Sequence, residues 1–270
     1  MSEAGAEPSY LDTAVEAVRR AGVIQLEGLG RAIDIRKKGT IDLVTEIDIA
    51  VERMIRALIA QRHPDHDVLA EEFGGPDTPR SRCCWIVDPL DGTTNYAHGL
   101  PLFCCTVALE IDGVLEVGAI YDPTRDELFT AGRGKGAFLN GRRLQVSQTS
   151  ALIDALLVTG FPYTVQEKLR ELVGLFAAFL AASRAVRRLG SAALDIAYVA
   201  SGRMDGFWEQ GLNAWDIAAG VLLVREAGGQ VTGLDGGPFE LRTGRILATN
   251  GLIHDEMRRV VESFYGPRPA

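Results

Sequence analysis

Apolar residues recur at helical spacing near the start of the chain. Leu11, Ala14, Val15, Val18 and Leu26 fall on one face, with the small Gly22 among them. The spacing predicts an amphipathic helix over residues 8–29, ended by Gly28 and Gly30. An extended piece at residues 33–35 and a turn at Lys37-Lys38-Gly39-Thr40 should follow. A second helix is expected over residues 43–61, with Ile47, Val51, Met54, Ile55 and Leu58 on its buried face. The pattern then shortens to strands. One covers residues 68–70 and ends at Glu71-Glu72; another covers 83–87 and ends at Asp88. Residues 103–111 and 114–121 flank Asp112-Gly113, a strong hairpin signal. A strand at 127–131 extends that meander, and Asn140-Gly141 marks another tight turn.

The second half alternates. Strands are expected at 152–159, 185–188 and 204–208, and helices at 165–182, 192–200, 216–227 and 253–264. Gly228 and Gly229 stop the third of these helices, and the tail GPRPA should fray. No internal repeat, low-complexity linker or coiled coil interrupts the pattern. This is an α/β (α+β) arrangement, with helices layered on sheets. Its 270 residues suit one catalytic domain spanning 1–270, or two subdomains at about 1–150 and 151–270.

Composition narrows the function. The formal net charge is -8, from 36 acidic and 28 basic residues. Such a balance disfavours direct nucleic-acid binding, which needs Lys and Arg to displace counterions. An acidic protein acting on an anionic substrate also needs metal ions to reverse the local sign. The opening MSEAGAEPSY lacks a basic and then apolar leader, and no apolar run suggests a membrane span, so a cytoplasmic protein is expected. Four cysteines form two adjacent pairs, Cys83-Cys84 and Cys104-Cys105. Strand neighbours point to opposite faces, so buried thiols are expected rather than a zinc site or a disulfide framework.

The chemistry concentrates in Trp85-Ile-Val-Asp88-Pro89-Leu90-Asp91-Gly92-Thr93-Thr94-Asn95-Tyr96. An apolar strand runs into Asp88, Pro89 is expected to stop it, and Asp91-Gly92 makes a turn. Two carboxylates three residues apart at a strand end can converge on one point. Thr93 and Thr94 follow at a helix start, where free backbone N–H groups favour anions. An Asp-rich turn with capping threonines would read the same way. Three further acidic positions join this one. Glu71 follows an apolar strand, as a solvated loop residue also would. Asp48 lies in VTEIDIAVERM, where some of the acids simply face solvent. Asp216, in AWDIAAG, would serve equally as a helix N-cap. Glu209 closes another strand. As a set, Glu71, Asp88, Asp91 and Asp216 offer hard oxygen donors suited to magnesium, with manganese poorly distinguished from it.

WIVDPLDGTTNY resembles the signature of the inositol monophosphatase family, and AWDIAAG resembles its second signature. VTEID and AEEF stand upstream in the family's order, and EAGG, GGPF and ATN stand downstream. The resemblance runs from about Lys37 to Asn250 and implies a layered α-β-α-β-α sandwich, often a homodimer. It implies that Glu71, Asp88 and the Leu90 carbonyl hold one magnesium ion. Asp88, Asp91 and Asp216 would hold a second, with Glu71 serving a weaker third. Asp48 and Thr93 would orient and deprotonate a water, with Glu71 assisting through its ion. Gly92, Thr93 and Thr94 would cradle phosphate through backbone N–H groups. Gly190, Ala192, Glu209 and Asp216 would contact the rest of a small phosphorylated substrate. Lithium sensitivity is a further implied trait.

Hydrolysis by a metal-activated water, with no covalent phosphoenzyme, is the expected reaction, and myo-inositol monophosphate the expected substrate. The same fold hosts phosphatases for fructose-1,6-bisphosphate, histidinol phosphate and 3'-phosphoadenosine-5'-phosphate. The compact length and EQGLNAWDIAAG resemble the monophosphatase branch more closely. A regulatory, protein-binding role is the alternative of a different class. The four histidines, His63, His66, His98 and His254, lie outside the motifs and receive no catalytic role. Gly132-Arg-Gly134-Lys-Gly136 lacks a full phosphate-loop pattern and is expected to make turns.

Overall fold

The computed structural model describes residues 9–31, 35–37, 43–75 and 80–266. The expected turn at 38–40, part of the extended piece at 33–35, residues 1–8 and the last four residues of the tail lie outside this set.

Helix α1 (Tyr10–Gly28) opens with a capping box: the Ser9 N–H donates to Asp12 Oδ2 and the Asp12 N–H returns to Ser9 Oγ. Its buried stripe runs through Ala14, Ala17, Val18, Ala21 and Gly22, whereas Leu26 is exposed. A Cβ on Gly22 would stand 2.5 Å from the Tyr121 ring, so only glycine lets this helix approach its sheet. Strands β1 (Ile35–Lys37) and β2 (Leu43–Thr45) pair antiparallel. Helix α2 (Glu46–Arg62) therefore starts three residues later than its periodicity suggested, because Thr45 caps it through the Ile47 and Asp48 N–H groups.

The first sheet has seven strands in the order β3 (Asp67–Ala70), β4 (Cys83–Asp91), β5 (Cys104–Ile111), β6 (Val114–Asp122), β7 (Glu127–Gly132), β8 (Gly136–Leu139) and β9 (Arg142–Arg143). Only β3 pairs parallel, with β4; the rest is the expected meander, turning at Asp112-Gly113 and at Asn140-Gly141. One short helix, α3 (Thr93–Ala97), follows β4.

The second sheet runs β11 (Ala185–Arg187), β10 (Leu156–Thr159), β12 (Gly206–Gln210), β14 (Arg245–Thr249), β13 (Gln230–Thr232). The expected strand at 152–159 begins instead with a 3-10 turn at Leu152–Asp154. Helices α4 (Leu169–Ala182), α5 (Ala192–Ala200), α6 (Ala214–Glu226) and α7 (His254–Tyr265) complete the chain. Helix α4 starts at Leu169 rather than 165, after a run of turns.

Three apolar cores order these elements into layers. Ala14, Val18, Val51, Ile55, Trp85 and Val87 join α1 and α2 to one face of the large sheet. Ile86, Ala108, Ile196, Leu223 and Phe207 set α5 and α6 between the two sheets. Leu175, Phe179, Trp208, Leu247 and Met257 place α4 and α7 on the far face of the small sheet. The order is α-β-α-β-α, as the resemblance implied. Cys84 and Cys104 enter the middle core and Cys105 the outer one, so each adjacent pair is split across its sheet. All four thiols are free. Among the described residues no helix is long and apolar enough to cross a membrane.

Candidate active site: an acidic cavity at the strand ends

Strand β4 does not stop at Pro89. It continues to Asp91 with a shift of register between Asp88 and Asp91, so Pro89 sits where no ladder N–H is needed. The Pro89 carbonyl accepts from Gln25 Nε2 at 2.8 Å. This irregular end turns Asp88, Leu90 and Asp91 toward a cavity of about 330 Å³, which Glu71, Gly92, Thr93, Thr94 and Asp216 also line. The cavity reaches the small sheet too, through Glu209 on β12, and the start of α5 through Gly190 and Ala192. Every residue named for metal or substrate from the sequence thus faces one space. Asp48 alone lies behind its wall.

Gly92 has φ 95°, and a Cβ there would meet the Leu102 carbonyl oxygen at 2.9 Å. Only glycine fits both the left-handed turn and the close approach. It leads Thr93 back over the strand end. Thr93 Oγ1 lies 2.9 Å from the Leu90 carbonyl and 3.2 Å from Asp48 Oδ1, within donating distance of either. Asp48 occupies the third position of α2, fully buried, where its Oδ2 accepts from the N–H and hydroxyl of Thr45. Burial pushes its carboxyl up to about 6; the Thr45 bonds oppose that rise and Glu72 adds to it.

Asp91 is held by α5. Its Oδ2 accepts from Ser191 Oγ at 2.6 Å and from the Ala193 N–H at 2.7 Å. Ser191 caps that helix through the Leu194 N–H as well. The sequence reading missed Ser191, although a serine before the apolar run AALDIAYVA is a helix-start signal. Asp216 is not the N-cap of α6. Asn213 holds that position, and Asp216, three residues on, accepts from the Asn213 N–H at 2.7 Å.

Like charges crowd the cavity. Burial and then Glu71, Asp91 and Asp216 push the Asp88 carboxyl well up from its ordinary value. Burial raises Asp91 against the bonds from α5, and burial followed by Asp91 raises Asp216. Glu209 rises to about 8, mainly by burial, with Arg188 opposing. Its carboxylate lies against Gly160, where a Cβ would come within 2.3 Å of Oε2.

These oxygens suit a hard divalent cation, which would offset the repulsion that raises them. Among the described residues no three or more acidic, His or Cys side chains are gathered tightly enough to hold an ion as they stand. The donor chemistry of these carboxylates and the Leu90 carbonyl fits magnesium.

The remaining candidates fall elsewhere. His63 and His66 stack on each other and on Trp85, far along β4 from its acidic end. No histidine among the described residues lines the cavity. Cys104 Sγ lies 3.9 Å from Asp91 Oδ2, but burial raises its thiol well above the ordinary range, away from the nucleophilic thiolate. The Gly134 and Gly136 N–H groups both donate to the Glu226 carboxylate at 2.7 Å, so this glycine-rich turn is tied to the protein itself. Among the further lining residues that the sequence did not single out, two bear a carboxyl or a guanidinium group: Arg188 and Asp195.

The chain matches the model of the inositol monophosphatase family over residues 7–264. It is 46% identical to the inositol-1-monophosphatase of Synechocystis sp., over 94% of this chain and 88% of that protein. It is 44% identical to the Nus factor SuhB of Escherichia coli strain K12, over 89% of this chain and 91% of that protein. Among solved structures, the inositol monophosphatase from Anabaena (Nostoc) sp. superposes with a TM-score of 0.86 at 45% identity, covering 94% of this chain and 95% of that one.

Proposed function

The chain belongs to the inositol monophosphatase family, and on that premise we propose that it hydrolyses a small phosphate monoester, myo-inositol monophosphate first among them, with magnesium as cofactor. The observation that carries this reading is the convergence of Glu71, Asp88, Asp91 and Asp216 on one cavity whose wall holds the Asp48–Thr93 pair.

Glu71, Asp88 and the Leu90 carbonyl would hold one ion, and Asp88, Asp91 and Asp216 a second; a third would draw on Glu71. Leu90's oxygen lies 2.9 Å from Thr93 Oγ1 and keeps a lone pair for this role whichever acceptor that hydroxyl faces. Magnesium bound there supplies charge neutralisation on the phosphate and a water acidic enough to lose its proton near neutral pH. The protein's own residues do the rest. Asp91 is fixed by Ser191 and Ala193, and Asp216 by Asn213, so neither swings when a dianionic substrate arrives. Thr93 turns its hydroxyl toward Asp48 or Leu90 and presents its oxygen to the attacking water. Asp48, raised to about 6, is ionised at neutral pH yet basic enough to take up the water's proton by way of Thr93. Gly92, Thr93 and Thr94 line the cavity at the start of α3, where their backbone N–H groups would take the phosphate oxygens. Gly190, Ala192 and Glu209 face the alcohol portion.

The test is phosphate release from inositol-1-phosphate, fructose-1,6-bisphosphate and 3'-phosphoadenosine-5'-phosphate, each with magnesium and with a chelator. Magnesium-dependent release that favours the inositol ester is expected. Release from none of them by folded, magnesium-loaded protein would sink the reading. A second, protein-binding role draws support from the relative called a Nus factor. It predicts that variants lacking Asp91 lose turnover while keeping a protein partner; loss of both together would reject a separate role.

A further inference from the structure

Gln25 lies on the buried stripe of α1 and is fully enclosed, yet its side chain is polar. Its Nε2 donates to the Pro89 carbonyl at 2.8 Å and to the Cys104 carbonyl at 3.4 Å, whereas Oε1 has no hydrogen-bond partner. Two acceptors at one end orient the amide, because the reverse placement would set oxygen against oxygen. A buried amide oxygen without a partner is costly, so the use of this residue lies at its donor end.

The two carbonyls flank the register shift of β4. Asp88 pairs with Thr106 and Asp91 with Cys104, so β4 takes three steps where β5 takes two. Pro89 and Leu90 form the resulting bulge, and side chains hold their backbone. The Pro89 carbonyl accepts from Gln25, and the Leu90 N–H donates to Asp88 Oδ1 at 2.9 Å. That carbonyl and that N–H are opposite ends of one planar peptide group. Holding the first therefore holds the second, and with it the Asp88 carboxylate. The same residue, Leu90, carries the carbonyl that faces the cavity. Gln25 is itself anchored, since its backbone carbonyl accepts from the Tyr96 hydroxyl of α3 at 2.7 Å. Without the amide, the buried Pro89 carbonyl lacks this donor, and the peptide can turn toward another, taking the Leu90 N–H from Asp88.

We propose that Gln25 is a positioning residue: from α1, outside the cavity lining, it locks the Pro89–Leu90 peptide and so presets Asp88 and the Leu90 carbonyl for magnesium. This rests on the phosphatase reading for the identity of the ion, but it concerns a residue that touches neither ion nor substrate.

The experiment compares Gln25→Met with the unaltered chain. Methionine is also long and unbranched, and it has no donor. Magnesium binding is measured by calorimetry without substrate, and phosphate release from inositol-1-phosphate is followed as magnesium is titrated. The magnesium dissociation constant should rise about tenfold, as for the loss of a group that orients a metal ligand. At saturating magnesium, kcat should stay within about threefold of the original. Gln25→Ala, which cannot overpack the helix against the sheet, should weaken magnesium binding in the same direction, and it decides alone if methionine prevents folding. Thr13→Val is the control. Thr13 is buried on the same helix, and its Oγ1 lies 3.0 Å from His63 Nε2, on α1's contact with the end of α2. This variant should melt lower, yet bind magnesium within about twofold of the original. Unchanged magnesium binding in the Gln25 variants, or equal weakening in Thr13→Val, would overturn the proposal. If the unaltered chain binds magnesium but releases no phosphate, the phosphatase reading fails and the calorimetry still decides the role of Gln25. If the unaltered chain binds no magnesium, both fall together.

Discussion

Helices α2 and α6 begin in the same way and serve the cavity differently. Each carries an Asp at its third position whose Oδ2 accepts the N–H of the capping residue, Asp48 from Thr45 and Asp216 from Asn213. Asp48 is sealed behind Thr93, with the Thr45 hydroxyl as an added donor. Asp216 opens onto the cavity among Asp88, Asp91 and Glu71. From the sequence, capping and catalysis were competing explanations for such residues. The two are compatible in the structure, because a capping bond uses one carboxylate oxygen and leaves the other free for a further contact. The helix start then fixes the side chain in place.

Substituting the cavity-facing member of this pair should have the largest effect. Asp216→Asn keeps an acceptor for the Asn213 N–H but removes a charge from the cavity. Turnover at high magnesium should fall about 10²–10³-fold, with melting within about 2 °C of the original. Retention of most activity would reduce Asp216 to a cap. Asp48→Asn should cost about 10²-fold in kcat while leaving the half-saturating magnesium concentration unchanged, since Asp48 stands outside the carboxylate cluster. A matching rise in the magnesium requirement would erase the distinction between the two helix starts.

The pH response sharpens the same contrast. Asp48 titrates at about 6 in the folded chain against 3.8 as its ordinary value. The folded form therefore holds an extra proton between those values, and this group's contribution to stability falls as pH rises through that window. Under the proposed mechanism catalysis runs the other way, because Asp48 as base must be ionised. The rate should climb as pH passes 6, and that limb should vanish in Asp48→Asn. Persistence of the limb would assign it to another group.

Glu209 is a third buried carboxylate, on a strand and without any helix to cap. Glu209→Ala should shift the preference between inositol-1-phosphate and p-nitrophenyl phosphate by about tenfold, with the magnesium requirement unchanged. No change in preference would remove Glu209 from the alcohol-facing wall.

The parts that the sequence made legible are those where local signals agree with tertiary packing. The hairpin at Asp112-Gly113, the helix over 192–200 and the apolar run into Asp88 were all readable in this way. What escaped depends on partners distant in the chain. Pro89 looked like a stop, but β5 accommodates it through a register shift. Strands β13 and β14 are short, β13 pairing with β14 and β14 also with β12, so periodicity alone could not find them. Leu26 matched the helical stripe of α1 on paper, yet the sheet lies nearer Gly22 and Gln25, and Leu26 is left exposed. For the site, the acidic motifs supplied Glu71, Asp88, Asp91 and Asp216. Asp195 was missed because an isolated Asp in an apolar helix carries no sign in the sequence of lying along a cavity.

The smallest expected effect isolates capping itself. Thr45→Ala removes the hydroxyl that accepts from the Ile47 and Asp48 N–H groups and donates to Asp48 Oδ2, but leaves the backbone N–H bond to that oxygen. Loss of the cap should cost about 1 kcal/mol of stability, measured by urea unfolding. Losing one of two stabilising donors should also raise the Asp48 carboxyl further, so the rising limb of the pH–rate profile should move to higher pH while the maximal rate changes little. The two shifts should appear together, since one hydroxyl produces both. A stability loss with an unmoved limb would mean that the cap at α2 is separate from the chemistry, and the likeness between the two helix starts would then be structural only.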